Sequence, residues 1–145
     1  MATVQDILAV KGTSVQSIGP GATALDAAAL MNEHNIGSLV VLDGGQLVGM
    51  GTERDIHPRV VAPRRDPAAT PVRDVMTADV VCCRTGTAID EARGVMKNRR
   101  IRHLPVVDDR GRLLGLVSIG DLNAHLAHDQ ELTIHVLTEY IHGRA

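Results

Sequence analysis

Residues 23–43 read TALDAAALMNEHNIGSLVVLD, and residues 88–108 read AIDEARGVMKNRRIRHLPVVD. At an offset of 65, Ala27 meets Ala92, Met31 meets Met96, Ile36 meets Ile101 and Asp43 meets Asp108. Beyond that point the second copy carries one extra turn residue, DDRGRLLG against DGGQLVG, and the offset grows to 66. GMGTERD (49–55) then aligns with GLVSIGD (115–121), so Gly49 matches Gly115. Upstream, VQDIL (4–8) matches VRDVM (72–76) at an offset of 68. The chain therefore writes one unit of about 65 residues twice, and an internal repeat decides architecture before any local pattern does.

Within a unit the hydrophobic period changes in a readable order. VQSI (15–18) is a short strand, and Thr23 is placed to cap a helix on which Ala27, Leu30 and Met31 share a face. SLVVL (38–42) and QLVGMG (46–51) are apolar strands joined by the turn Asp43-Gly44-Gly45, and a second helix starts near Thr52. The second unit repeats this as VVCC (80–83), a helix from about 88 to 98, HLPVV, RLLGLV and a helix from Ser118. The expected class is α+β, with two β-α-β-β-α repeats. The predicted boundaries are 3–62 and 72–130 for the repeats, with APRRDPAATP (62–71) supplying the linker at 63–71 and a helical segment at 131–145. Pro71 stands where a new helix can begin. A unit this small buries little surface alone, so the two are expected to pack sheet to sheet about a pseudo-twofold axis, with Gly49 and Gly115 opening onto a central groove.

Composition narrows the function classes. The 145 residues are 44% apolar and 22% charged, ordinary for a globular chain. There is no Trp or Phe and a single tyrosine, Tyr140, which removes the aromatic platforms on which single-stranded nucleic acid stacks. A formal charge of −2 gives no global pull toward a polyanion or an acidic membrane. The opening MATVQDILAVKG has no basic stretch followed by a long apolar core, and no run approaches the roughly 18 apolar residues of a membrane span. A cytoplasmic protein is expected. Adjacent Cys82 and Cys83 fit neither a disulfide framework nor a zinc site and are expected as buried strand residues.

The paired motif admits two readings. A Ser or Thr followed three residues later by an acid is a capping box, which accounts for Thr52 with Asp55 and for Ser118 with Asp121 as scaffold. The same geometry puts a hydroxyl and a carboxylate at the positive end of a helix, facing whatever fills the groove. One helix can serve both. The basic run KNRRIRH (97–103) is partly a helix C-terminus, where Lys97, Arg99 and Arg100 suit the helix dipole and face water. Further on, His128, His135 and His142 recur every seven residues, about 10 Å apart along a helix, so no metal site is expected. The apolar set Ile134, Leu137 and Ile141 fits a helix that packs on its own module or on a second copy.

On VRDVM, IGSLVVLD, IRHLPVVD and the paired GMGTERD and GLVSIGD, residues 3–127 resemble a tandem pair of cystathionine-beta-synthase (CBS) domains, a Bateman module. The resemblance implies clefts for adenosine-containing ligands: AMP, ADP or ATP, with NAD(H) or S-adenosylmethionine as other members of the class. It makes Asp55 and Asp121 the ribose ligands, with Thr52 and Ser118 beside phosphate. A carboxylate is an acceptor that can take both vicinal hydroxyls. The resemblance also brings in the positions before the second strand, Ile36-Gly37-Ser38 and Ile101-Arg102-His103. On this reading the GMGTERD site has neutral neighbours and the GLVSIGD site cationic ones. Adenine would lie among Ile36, Ile101 and Val81. Lys11 is a further phosphate candidate, and Arg54 either pairs on the surface or reaches phosphate. The implied function is a non-catalytic sensor, homodimeric as a flat disc and acting on an effector protein in trans, with a structural dimerisation module as the alternative. No nucleophile beside a base, P-loop or metal cluster argues for an enzyme.

Overall fold

The computed structural model describes residues 2–127. The sets His128, His135 and His142, and Ile134, Leu137 and Ile141, with the segment 131–145, lie outside the described residues. The chain runs through α1 (Val4–Lys11), β1 (Ser17–Ile18), α2 (Ala24–His34), β2 (Ser38–Asp43), β3 (Gln46–Thr52) and α3 (Glu53–Ile56), which continues as a π-turn over His57–Val61. A single 3₁₀ turn, Pro67–Ala69, leads to α4 (Val72–Val75), α5 (Ile89–Arg99), β4 (His103–Val107) and β5 (Leu113–Ser118). A further helix, α6, occupies 119–127. The fold is α+β.

Thr23 caps α2 as its sequence position predicts: its Oγ1 accepts from Asp26 N at 3.1 Å, and Asp26 Oδ2 accepts from Thr23 N at 3.0 Å. Gly44 and Gly45, at φ 57° and 86°, form the two-residue turn between Asp43 and Gln46, where a left-handed backbone matches the strand twist. The first sheet is β1-β2-β3, with β1 parallel to β2 and β3 antiparallel to it; the second is the antiparallel pair β4-β5. The two sheets meet at their hairpin ends, where Leu47 N donates to Gly111 O at 3.2 Å and Leu113 N to Gly45 O at 3.3 Å.

The expected strand at VVCC does not form. Only Cys83 pairs with β4, as a parallel bridge to Val106. The cause is Pro105. In the first repeat Val40 N donates to Gln16 O at 3.4 Å. Pro105 stands where Val40 does, and with no N–H it has nothing to donate to Val81, so the ladder stops at Cys83. The expected burial of both cysteines is half right: Cys83 is buried and Cys82 exposed. Burial, followed by the neighbouring Cys82 and Glu91, pushes the Cys83 thiol up to about 11.

The leading helices are exchanged. Val4, Ile7 and Leu8 of α1 sit in the core of the second repeat with Ala92, Met96, Leu104, Val106 and Val117. Val72 of α4 joins the first-repeat core with Ala27, Met31, Leu39 and Val41. The exchange is reciprocal to the level of single bonds: Val4 N donates to Thr87 O at 2.9 Å and Val72 N to Ala22 O at 2.7 Å. Each small core thus depends on a helix from the other unit, which makes folding of one repeat alone unfavourable.

Candidate functional site

Cross-strand register sets the site. Ser38 pairs with Thr52, and His103 with Ser118, at equivalent places in the two repeats. The first helical N–H beyond each motif closes the corner: Glu53 N donates to Gly37 O at 3.1 Å, and Ile119 N to Arg102 O at 2.9 Å. Both capping boxes are present. Asp55 Oδ2 accepts from Thr52 N at 3.0 Å and from Thr52 Oγ1 at 3.1 Å. Asp121 Oδ2 accepts from Ser118 N at 2.8 Å, while Ser118 Oγ accepts from Asp121 N at 3.1 Å.

A cavity of about 410 Å³ opens beside the first motif. From the first repeat it takes Gly37, Ser38, Thr52, Arg54 and Asp55; from the second it takes Val81, Ile101, Arg102 and His103. The expected division into a neutral and a cationic site is therefore corrected: Gly37-Ser38 and Arg102-His103 border the same cavity as Asp55, where the segment after α4 is tied to β3 by the pairing of Thr77 with Met50. Arg100 also lines it rather than only facing water. Ile36 does not line this cavity but packs against the first-repeat core. Sequence reading missed Met50, Glu53, Thr77, Asp79 and Val80 on the wall. The backbones of Met50 and Thr77 exchange two hydrogen bonds of 2.9 Å, drawing the segment after α4 across the cavity. One signal could have found Asp79: the offset of 68 that aligns VQDIL with VRDVM places it opposite Lys11.

The second motif is arranged differently. Asp121 and Lys11 border a smaller cavity of about 290 Å³, with Ile7 and Val10 of α1 and Ala124 of α6. Ser118 does not line it. Lys11 Nζ donates to Asp121 Oδ2 at 2.7 Å and to Leu116 O at 2.8 Å. Burial raises the Asp121 carboxyl, but the Lys11 ammonium and the Ser118 N–H outweigh it and hold the group below the usual carboxylate range. His103, half-buried on the wall of the first cavity, is pushed below the ordinary imidazole range by burial, then by Lys11 and Arg102, against the opposing pull of Asp121. A neutral imidazole there can accept as well as donate a hydrogen bond.

A model of the CBS domain matches this chain twice, at residues 3–61 and 72–128. The chain belongs to the CBS domain family. It is 38% identical over 122 residues to the CBS domain-containing protein YhcV of Bacillus subtilis, covering 84% of each chain. The solved structure of a putative signal-transduction protein with CBS domains from Burkholderia ambifaria matches with a TM-score of 0.81 at 39% identity, over 89% of this chain and 96% of that one. Hypoxic Response Protein I, solved with two coordinated zinc ions, matches with a TM-score of 0.76 at 31% identity, over 86% of this chain and 98% of that one. Among the described residues here, no group of three or more His, Cys, Asp or Glu side chains could hold a metal ion. No helix among them is long and apolar enough to cross a membrane. CBS-domain pairs are generally regulatory modules, and stand-alone members are generally non-catalytic.

Proposed function

We propose that this CBS pair is a non-catalytic sensor that takes an adenosine-containing ligand, an adenine nucleotide or NAD(H), into the cavity at Asp55. The observation that carries the reading is the composition of that cavity: a helix-capping carboxylate and hydroxyl from one repeat face Arg102 and His103 from the other, across the aliphatic walls of Val81 and Ile101. The carboxylate suits a vicinal diol, the guanidinium suits phosphate, and the apolar walls suit a purine face. About 410 Å³ lies within the range of small-molecule sites. Because both repeats contribute, a ligand bridging them favours one relative placement over another, and differential affinity for two placements is what a sensor requires. The output acts on a partner protein in trans, through a homodimer of the module.

A thermal-shift panel of AMP, ADP, ATP, NAD, NADH and S-adenosylmethionine tests this. A ligand at 100 times its Kd stabilises by about 2.7 kcal/mol, a rise of several degrees for a chain of this size. No shift from any member, on protein shown to be ligand-free, would leave the structural dimerisation module as the better reading.

A further inference from the structure

The carboxylates Asp55 and Asp121 are repeat equivalents, yet they meet different cations. Lys11 Nζ is in direct hydrogen-bond contact with Asp121 Oδ2 at 2.7 Å. The cation nearest Asp55 is Arg59, whose Nη1 stands 3.5 Å from Oδ1 and is committed at 2.6 Å to Val75 O. At 3.5 Å that pair is a looser contact than a hydrogen bond of normal length. The residue that repeat symmetry sets opposite Lys11 is Asp79, an acid on the wall of the Asp55 cavity. An acid there cannot latch onto Asp55. The first motif thus has only the looser Arg59 contact where the second has a direct Lys11 hydrogen bond, and the cavity is smaller where that bond exists.

We infer that Lys11 is a built-in competitor for the Asp121 carboxylate, so that a ribose enters the second cleft only by displacing the ammonium, and the two clefts fill in sequence. The inference rests on the reading of these aspartates as ribose acceptors. The stem makes such displacement feasible. Val4, Ile7 and Leu8 anchor α1 in the core, while the Lys11 side chain is 36% exposed and carries four rotatable bonds. It can swing into water without moving its helix. A partly exposed ion pair with one added hydrogen bond to Leu116 O sets a penalty of about tenfold in affinity.

Calorimetry with AMP on the wild type, Lys11→Met, Asp55→Ala and Lys11→Met/Asp121→Ala tests it. Methionine keeps the apolar stem, and Lys11→Gln provides a second variant should it fold poorly. The wild type is expected to bind AMP in two unequal steps, the stronger abolished by Asp55→Ala. Lys11→Met should leave the stronger step unchanged and tighten the weaker about tenfold, and adding Asp121→Ala should remove the gain. If Lys11 instead helped to hold phosphate, its removal would weaken the second step, which overturns the inference, as does a second step left unchanged. Either result with the Asp55-dependent step intact leaves the reading of the first cleft standing. No AMP binding to wild type or variant overturns both.

Discussion

Leu8 of α1 crosses β5 so closely at Gly115 that a Cβ on that glycine would stand 2.8 Å from Leu8 Cδ2. Met76 and Thr77 cross β3 at Gly49 in the same way, where a Cβ would collide with the Met76 side chain and reach within 3.0 Å of Thr77 O. The glycine heading each GxxTxxD-like motif is thus explained by the exchanged segments that pass over it. Gly115→Ala presses on the far end of a leucine, which can turn aside. Gly49→Ala presses on a carbonyl fixed by pairing with Met50. Both variants should lose stability by about 1–3 kcal/mol, with Gly49→Ala the worse. Urea unfolding checks the order, and equal stabilities would contradict the crossing argument.

Asp55 caps its helix and, in the proposed function, accepts the ribose hydroxyls, and substitution can separate the two roles. Asp55→Ala removes the acceptor for Thr52 N and Oγ1, and losing a cap costs about 0.5–2 kcal/mol. Asp55→Asn keeps an oxygen for the Thr52 N–H but gives up the charge and one acceptor, so a diol is held by weaker bonds. The expected outcome is near-wild-type melting for Asp55→Asn together with AMP binding weakened tenfold or more. Binding within twofold of wild type would remove Asp55 from the ribose role and leave it a cap.

How much of this could be read from the residues depends on the range of the interaction. Repeat, turn and caps are local, and the offsets around Ala27, Met31 and Gly49 carry them. Exchange of α1 and α4 is not, because a short apolar pattern such as VQDIL states that a face is buried without stating in which core. The same non-locality hid the mixing of Gly37-Ser38 with Arg102-His103, residues of different repeats that meet on one cavity wall. The missing strand at VVCC was readable, since Pro105 occupies the place of a donor used in the first repeat. The Lys11 contact with Asp121 joins residues 110 positions apart, and no local pattern states it.

Arg100 ends α5 in the left-handed region at φ 55°, where its counterpart Asn35 has φ 52°. Asparagine and glycine tolerate this conformation; arginine does so at a cost of about 1 kcal/mol. The strained residue lines the Asp55 cavity. Arg100→Gly is therefore expected to raise stability by about 0.5–1 kcal/mol and to weaken binding of ATP more than that of adenosine. Thermal melting and calorimetry with the two ligands check both halves. A stabilised variant with unchanged ATP affinity would make Arg100 a strained cap without a role in the cleft.

Acid stability should fall in two stages, the upper from His103 and the lower from Asp121 together with Asp26 and Asp108. Burial, then Lys11 and Arg102, lower the His103 pKa in the fold, against Asp121. The unfolded chain therefore takes up that proton first, and stability present above the ordinary value of 6.5 declines as pH falls through the folded value. Asp121 is also depressed, burial being outweighed by Lys11 and Ser118. Its contribution is fully present above 3.8 and is lost as pH falls through its lower folded value. Asp26 and Asp108, held low by hydrogen bonds from Thr23 and from Arg112, respectively, titrate in the second window too. Melting temperatures from pH 8 to pH 3 should show both declines in the wild type. His103→Gln should flatten the upper one, because glutamine does not titrate. Lys11→Met should shallow the lower one without abolishing it, since Asp26 and Asp108 keep their partners. A lower decline of unchanged depth in Lys11→Met would mean that the ammonium contributes nothing to holding Asp121 ionised.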